Sequence, residues 1–129
     1  LDVRGAPLWR RTAEMIASES ARLRGRSGWS GLMAVAGATY PDEARALRQL
    51  LPDALFLVPG YGAQGASAAD AVAGFVTKAK GREGGVVNSS RGVPYPPAAQ
   101  AARPLADWRA AIGDAMAAAA AELHGACAV

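Results

Sequence analysis

Three short apolar runs alternate along this chain with longer segments in which polar and apolar residues are mixed. The runs cover residues 32–36, 55–58 and 85–87. Each run is continuous and too short for a helix, which is typical of a strand buried in a sheet. Because continuous apolar strands that alternate with helices form parallel sheets, the pattern predicts an α/β fold.

Helical periodicity fills most of the sequence around these runs. The predicted helices cover about residues 7–24, 41–51, 67–77 and 105–124. A proline followed by two acids, at residues 41–43, suits the first turn of a helix, and Ser67 and Asp70 have the spacing of a capping box. Residues 78–84 are expected to form a polar turn and residues 89–104 a proline-rich loop.

The order of these elements, one helix followed by three strand–helix units, bears on the fold. A sheet of only three parallel strands would have two open edges and one face with little to pack against. We therefore interpret residues 1–129 as one partial domain, the C-terminal part of a (β/α)8 TIM barrel. A small flavodoxin-like sheet is the alternative, although it would usually contain more strands in this length. The chain starts at Leu1 without a recognisable signal peptide, and we interpret this start as a cut or processed end.

The composition narrows the range of partners. The formal net charge is +3, but the arginines are scattered and form no basic stripe among stacking aromatics, so nucleic acid is not an expected partner. Cys127 is the only cysteine and cannot form an intrachain disulfide, which is compatible with a reducing cytoplasm. With a single histidine, no metal-binding cluster is expected. The alanine run at residues 117–121 is far too short to span a bilayer, so a membrane is not expected as a partner.

Two glycine-bearing polar loops follow the second and third predicted strands. The first, residues 59–65, reads Pro-Gly-Tyr-Gly-Ala-Gln-Gly, and the second, residues 88–92, reads Asn-Ser-Ser-Arg-Gly. Glycines allow backbone N–H groups to approach an anion closely, Gln64 offers an amide donor, and Arg91 offers a bidentate fork. Two consecutive loops of this kind predict a phosphate site at the mouth of the barrel. The residues expected to bind the phosphate are Gln64, Gly65, Ser90, Arg91 and Gly92.

The rest of the expected ligand wall comes from the first two strand ends. Its residues are Thr39, Pro59, Gly60, Tyr61 and Gly62. Thr39 could contact the ligand or cap the helix that begins at Pro41, and Tyr61 could face the ligand or pack in the core. None of the strand ends carries a Lys, His, Asp or Glu that could act as a general acid or base. No catalytic residue is therefore expected in this chain.

Three segments, residues 37–43, 56–65 and 86–92, closely resemble the last three strand–loop segments of orotidine 5′-phosphate decarboxylase, in the bacterial branch often called type 2. The resemblance implies a TIM barrel, normally a homodimer, that converts orotidine 5′-phosphate to UMP and CO2 in pyrimidine synthesis, without a metal or organic cofactor. It also implies that Gln64 and Arg91 hold the substrate phosphate. Residues 59–62 would form part of a mobile wall that closes over the ligand.

The chain departs from this family in one large respect. The catalytic D-x-K-x-x-D motif of the family has no counterpart here. The resemblance therefore implies the C-terminal half of the enzyme, inactive in decarboxylation alone. Two alternatives remain open: a non-catalytic half-barrel that binds a phosphorylated ligand, and another phosphate-binding TIM-barrel lyase or isomerase.

Overall fold

A computed structural model describes residues 2–128 of the chain. Its helices are α1 (Leu8–Arg22), α2 (Pro41–Leu50), α3 (Ala68–Ala71), α4 (Pro97–Ala101) and α5 (Leu105–Cys127). Its strands are β1 (Asp2–Val3), β2 (Ala6–Pro7), β3 (Met33–Val35), β4 (Leu55–Val58), β5 (Val76–Lys78), β6 (Gly81–Glu83) and β7 (Gly85–Val87).

The central sheet is parallel and has the strand order β3-β4-β7. Ala34 is paired with Phe56, and Phe56 with Gly85, so the three strands are aligned in one register. These are the three strands that the apolar runs predict, and helices follow each of them along the chain. The α/β class and the parallel sheet are thus confirmed.

The two faces of this sheet differ in burial. Phe56 and Val58 point to one face, are almost fully buried and pack in a core with residues of α2 and the turn that follows it. On the other face, Val35, Leu57 and Val86 form a row across the three strands and are 68%, 37% and 57% exposed. The predicted burial of the strands therefore holds for one face only, because within the described residues nothing covers the other.

The segment after β4 differs from the sequence prediction. The capping box is present, with reciprocal hydrogen bonds between Ser67 and Asp70, but α3 ends at Ala71. A Cβ added to Gly74 would lie 2.9 Å from the Phe56 ring, so the backbone passes too close to the core there for a side chain. The chain then forms the antiparallel hairpin β5–β6, where a longer helix and a polar turn were predicted. Val76 and Thr77 are β-branched and fit a strand better than a helix.

Three further boundaries differ from the prediction. A small antiparallel hairpin, β1–β2, precedes α1, and its turn at Arg4 and Gly5 has positive φ at both residues. The proline-rich loop of residues 89–104 contains the short helix α4. The last helix continues through Gly125 to Cys127, since a single glycine in an alanine-rich helix does not suffice to end it.

Arg48 on α2 is buried at the amino-terminal ends of β4 and β7. Its guanidinium donates to the backbone carbonyl oxygens of five residues: Leu51, Pro52, Ala54, Gly74 and Gly84. It also lies over the Phe56 ring, 3.8 Å from the ring centroid. Burial lowers the pKa of Arg48 to about 10. This side chain joins α2 to the segments before two strands, at the end of the sheet opposite the predicted phosphate site.

Candidate phosphate-binding site

The loops that follow β3, β4 and β7 meet at the carboxyl-terminal edge of the sheet. The Ala38 N–H donates to the Pro59 carbonyl oxygen at 2.8 Å, which joins the first loop to the second. The Asn88 N–H donates to the Val58 carbonyl oxygen at 2.9 Å, which joins the third loop to the end of β4. The backbone thus brings the three predicted segments of the site to neighbouring positions.

Gly60 lies where the first two loops touch. A Cβ added to it would be 3.6 Å from the Thr39 Cγ2 and 3.5 Å from the Gln64 Oε1. Its φ is +105°, in a region that L side chains rarely adopt, so the turn favours glycine. The contact places Thr39 and Gln64, two of the predicted site residues, next to each other.

The rest of this loop is closed by its own backbone. The Gly62 N–H donates to the Ala66 carbonyl oxygen at 3.0 Å, and the Gly65 N–H donates to the Gly62 carbonyl oxygen at 2.8 Å. In this conformation the two N–H groups hold the loop together. Gln64 is exposed at its tip, and within residues 2–128 its side-chain amide donates to no protein group.

The loop after β7 presents Arg91 to solvent. Asn88 and Ser90 are joined by a hydrogen bond of 3.0 Å from the Asn88 Nδ2 to the Ser90 Oγ. The Arg91 carbonyl oxygen accepts from the Tyr95 N–H at 3.0 Å, which fixes the backbone of the loop. A Cβ added to Gly92 would lie 3.0 Å from the Ser89 Oγ, so this position is tight. In the described part of the chain the Arg91 guanidinium has no carboxylate partner, which leaves its fork free for an anion.

Tyr61 points away from the open edge. Its side chain is 8% exposed, and its hydroxyl donates to the Glu122 Oε2 on α5 at 2.5 Å. Burial, together with the hydrogen bond to the Glu122 carboxylate and its charge, raises the pKa of Tyr61 to about 12. Of the two roles that the sequence left open for this residue, the buried side chain favours packing.

Glu122 is the residue of this region that sequence reasoning missed. It lies 61 positions after Tyr61, and it is an acid at the end of an alanine run. An exposed helical acid is usually solvated, so the sequence contains no sign of a long-range partner.

Tyr61→Phe should alter the dependence of stability on alkaline pH. The pKa of Tyr61 rises from 10.0 to about 12 on folding, so between these pH values the folded chain binds more protons than the unfolded chain. The contribution of the hydroxyl to stability is therefore complete below pH 10 and is lost as the pH rises through 12. In urea denaturation, the advantage of the parent chain over Tyr61→Phe should shrink across this window. Tyr95→Phe, which removes the hydroxyl of an exposed tyrosine, is the matched control variant.

The described residues contain no cluster of metal ligands and no helix suited to spanning a membrane. No group of three or more His, Cys, Asp or Glu side chains within residues 2–128 is placed to hold a metal ion. Lys78 and Lys80 fall in the predicted polar turn of residues 78–84, and the structure places them in and next to the β5–β6 hairpin. None of the helices in this range combines the length and the apolar character that crossing a bilayer requires.

Comparisons with known proteins agree on one family of enzymes. No protein-family model matches the chain. The orotidine 5′-phosphate decarboxylase of Rhodopirellula baltica is 37% identical over 95 residues, which are 74% of this chain and 30% of that protein. The enzyme of the same name from Halobacterium salinarum is 42% identical over 107 residues, or 82% of this chain and 36% of that protein. The chain thus spans about a third of the length of these two curated relatives.

The fold comparison gives the same result. The structure of the OMP decarboxylase of Leishmania donovani matches with a TM-score of 0.56 and 32% identity, and the match covers 96% of this chain and 42% of that one. These findings confirm the expected partial TIM barrel. In both sequence and fold, the chain is related to the orotidine 5′-phosphate decarboxylases.

Proposed function

We propose that this chain is the phosphate-binding part of an orotidine 5′-phosphate decarboxylase, a lyase that converts orotidine 5′-phosphate to UMP and CO2. The observation that carries the proposal is the position of Gln64 and Arg91. They lie on loops that follow the neighbouring parallel strands β4 and β7. Both side chains are exposed at the edge where ligands bind to parallel α/β folds.

The phosphate would be held by side chains and backbone together. The proposed phosphate contacts are Gln64, Gly65, Ser90, Arg91 and Gly92, and for Gly65 this requires its N–H to leave the Gly62 carbonyl oxygen when the ligand binds. Arg91 would offer two parallel N–H donors to phosphate oxygens, and a hydrogen bond to a charged group contributes about 1.5–3 kcal/mol. Thr39 and residues 59–62 would form the wall beside the ligand, with Tyr61 contributing its backbone because its side chain is buried.

The remaining steps of catalysis would depend on residues outside this chain. The phosphate is remote from the carboxylate that leaves as CO2, and binding energy at a remote group can be used to lower the barrier at the reacting centre. The acid–base groups would be supplied by the rest of a longer protein, of which residues 1–129 would be one part of the barrel domain. A homodimer and a cytoplasmic location belong to the same proposal.

Calorimetric titration with UMP, with uridine as the control, tests the phosphate site. We expect heat of binding from UMP and none from uridine at the same concentration, because only UMP carries the phosphate. Equal binding of both ligands, or binding of neither by a chain whose circular dichroism shows it to be folded, would contradict a preformed phosphate site.

A non-catalytic phosphate-binding half-barrel is the second candidate. It is favoured by one observation, that the described loops after β3, β4 and β7 present no Lys, His, Asp or Glu. Adding the complementary half of a related decarboxylase separates the two candidates. Release of CO2 from orotidine 5′-phosphate by the mixture would support the enzyme, whereas a well-folded mixture without activity would favour the binding module.

A further inference from the structure

One side-chain hydrogen bond connects the candidate phosphate loop to the last helix. The Tyr61 hydroxyl donates to the Glu122 Oε2 at 2.5 Å, and the tyrosine ring is buried beneath the loop. Tyr61 stands between Gly60 and Gly62, whose φ angles of +105° and +72° are conformations that glycine adopts without strain. A fixed side chain between two glycines can set the direction in which the loop leaves the sheet.

The residues beyond Tyr61 follow its position because the loop is closed on itself. Tyr61 forms a β-bridge with Ala66, and the Gly62 N–H donates to the Ala66 carbonyl oxygen at 3.0 Å. Gln64 lies at the tip of the loop, between Gly62 and Ala66, and its Oε1 is near Gly60. A shift of the tyrosine would therefore move the Gln64 amide.

We propose that Glu122 is a positioning residue of the phosphate site: by accepting the Tyr61 hydrogen bond, it holds the base of the loop against α5 and aims Gln64 at the phosphate. The inference rests on the proposed phosphate-binding function. Because the bond has a charged acceptor and a buried donor, it is stronger than an ordinary bond between neutral groups. The raised pKa of Tyr61 agrees with this geometry.

Binding measurements on matched variants test the proposal. Tyr61→Phe and Glu122→Ala should each weaken UMP binding by about ten-fold, the effect of losing about 1.4 kcal/mol. The double variant should be no weaker than either single variant, because both remove the same bond. Glu122→Gln keeps an acceptor oxygen and should restore most of the affinity. Asp114→Asn, at another exposed acid on α5, should bind UMP as the parent chain does.

Hydrogen exchange of the chain without ligand supplies a second readout. Amides of residues 60–66 should exchange faster in Tyr61→Phe and Glu122→Ala, while amides of β3, β4 and β7 should keep their protection. Unchanged exchange in the loop, or unchanged UMP affinity in a chain that binds UMP, would overturn the positioning role. Additive losses in the double variant would overturn it too. If the parent chain does not bind UMP, the proposed function fails instead, and exchange alone then decides whether Glu122 holds the loop.

Discussion

Arg48→Met should lower the free energy of unfolding by about 2–5 kcal/mol, because at least two buried carbonyl groups would each lose a donor at a cost of about 1–3 kcal/mol. This is a large share of the total stability of a domain of this size. Methionine matches the unbranched stem of Arg48 as far as Nε. It cannot donate hydrogen bonds, so the carbonyl oxygens of Ala54 and Gly74 would lose the donors that now reach them at 2.6 and 2.7 Å. A buried carbonyl group without a hydrogen-bond donor destabilises the folded chain. Replacing the charged arginine by a neutral methionine does not remove this loss of stability.

The loss of stability on replacing Arg48 is expected to depend on the planar shape of the guanidinium as well as on its charge. Arg48→Lys keeps the charge but cannot reach several carbonyls from one planar fork, so its loss should lie between those of Arg48→Met and the control. Arg45→Met on the same helix is that control, since Arg45 is exposed and its one ion pair within residues 2–128 is with Asp42, three residues earlier. Its effect should stay within about 0.5 kcal/mol. Urea denaturation measures all three, and an Arg48→Met chain as stable as the parent would contradict this role.

The sequence predicts the central sheet because its signals are local. The apolar runs at residues 55–58 and 85–87 coincide with β4 and β7, and the run at residues 32–36 contains β3. The capping box at Ser67 was also predictable, since its two partners are three residues apart. Because strand ends in a parallel sheet share one edge, the meeting of the loops follows from the order of elements alone.

The features that the sequence did not reveal depend on contacts between distant segments. The end of α3 at Ala71 and the close approach of the Gly74 backbone to the Phe56 ring are features that periodicity does not contain. Arg48 resembles any other arginine on an amphipathic helix, and its burial depends on carbonyl groups up to 36 residues away. The hydrogen bond from Tyr61 to Glu122 also depends on distant segments, because it requires α5 to pack near the loop.

Arg91→Ala should weaken UMP binding by about ten- to a hundred-fold while leaving any binding of uridine unchanged. This range corresponds to the loss of about 1.5–3 kcal/mol from a hydrogen bond between charged groups. Since Arg91 is exposed and has no carboxylate partner among the described residues, its replacement should not destabilise the chain. The effect can therefore be assigned to the ligand, and calorimetry with the two ligands measures it directly.

Two further variants distinguish a direct contact between Arg91 and the phosphate from a general effect of positive charge on UMP binding. Arg26→Ala removes the same charge from an exposed loop that precedes β3, at the opposite end of the sheet, and should leave UMP affinity nearly unchanged. Arg91→Lys keeps the charge but loses the bidentate geometry, so it should recover only part of the affinity. If Arg26→Ala and Arg91→Ala weaken binding equally, the phosphate is attracted by net charge alone. A larger loss at Arg91, confined to the phosphorylated ligand, is the result that a site built on the loops after β4 and β7 requires.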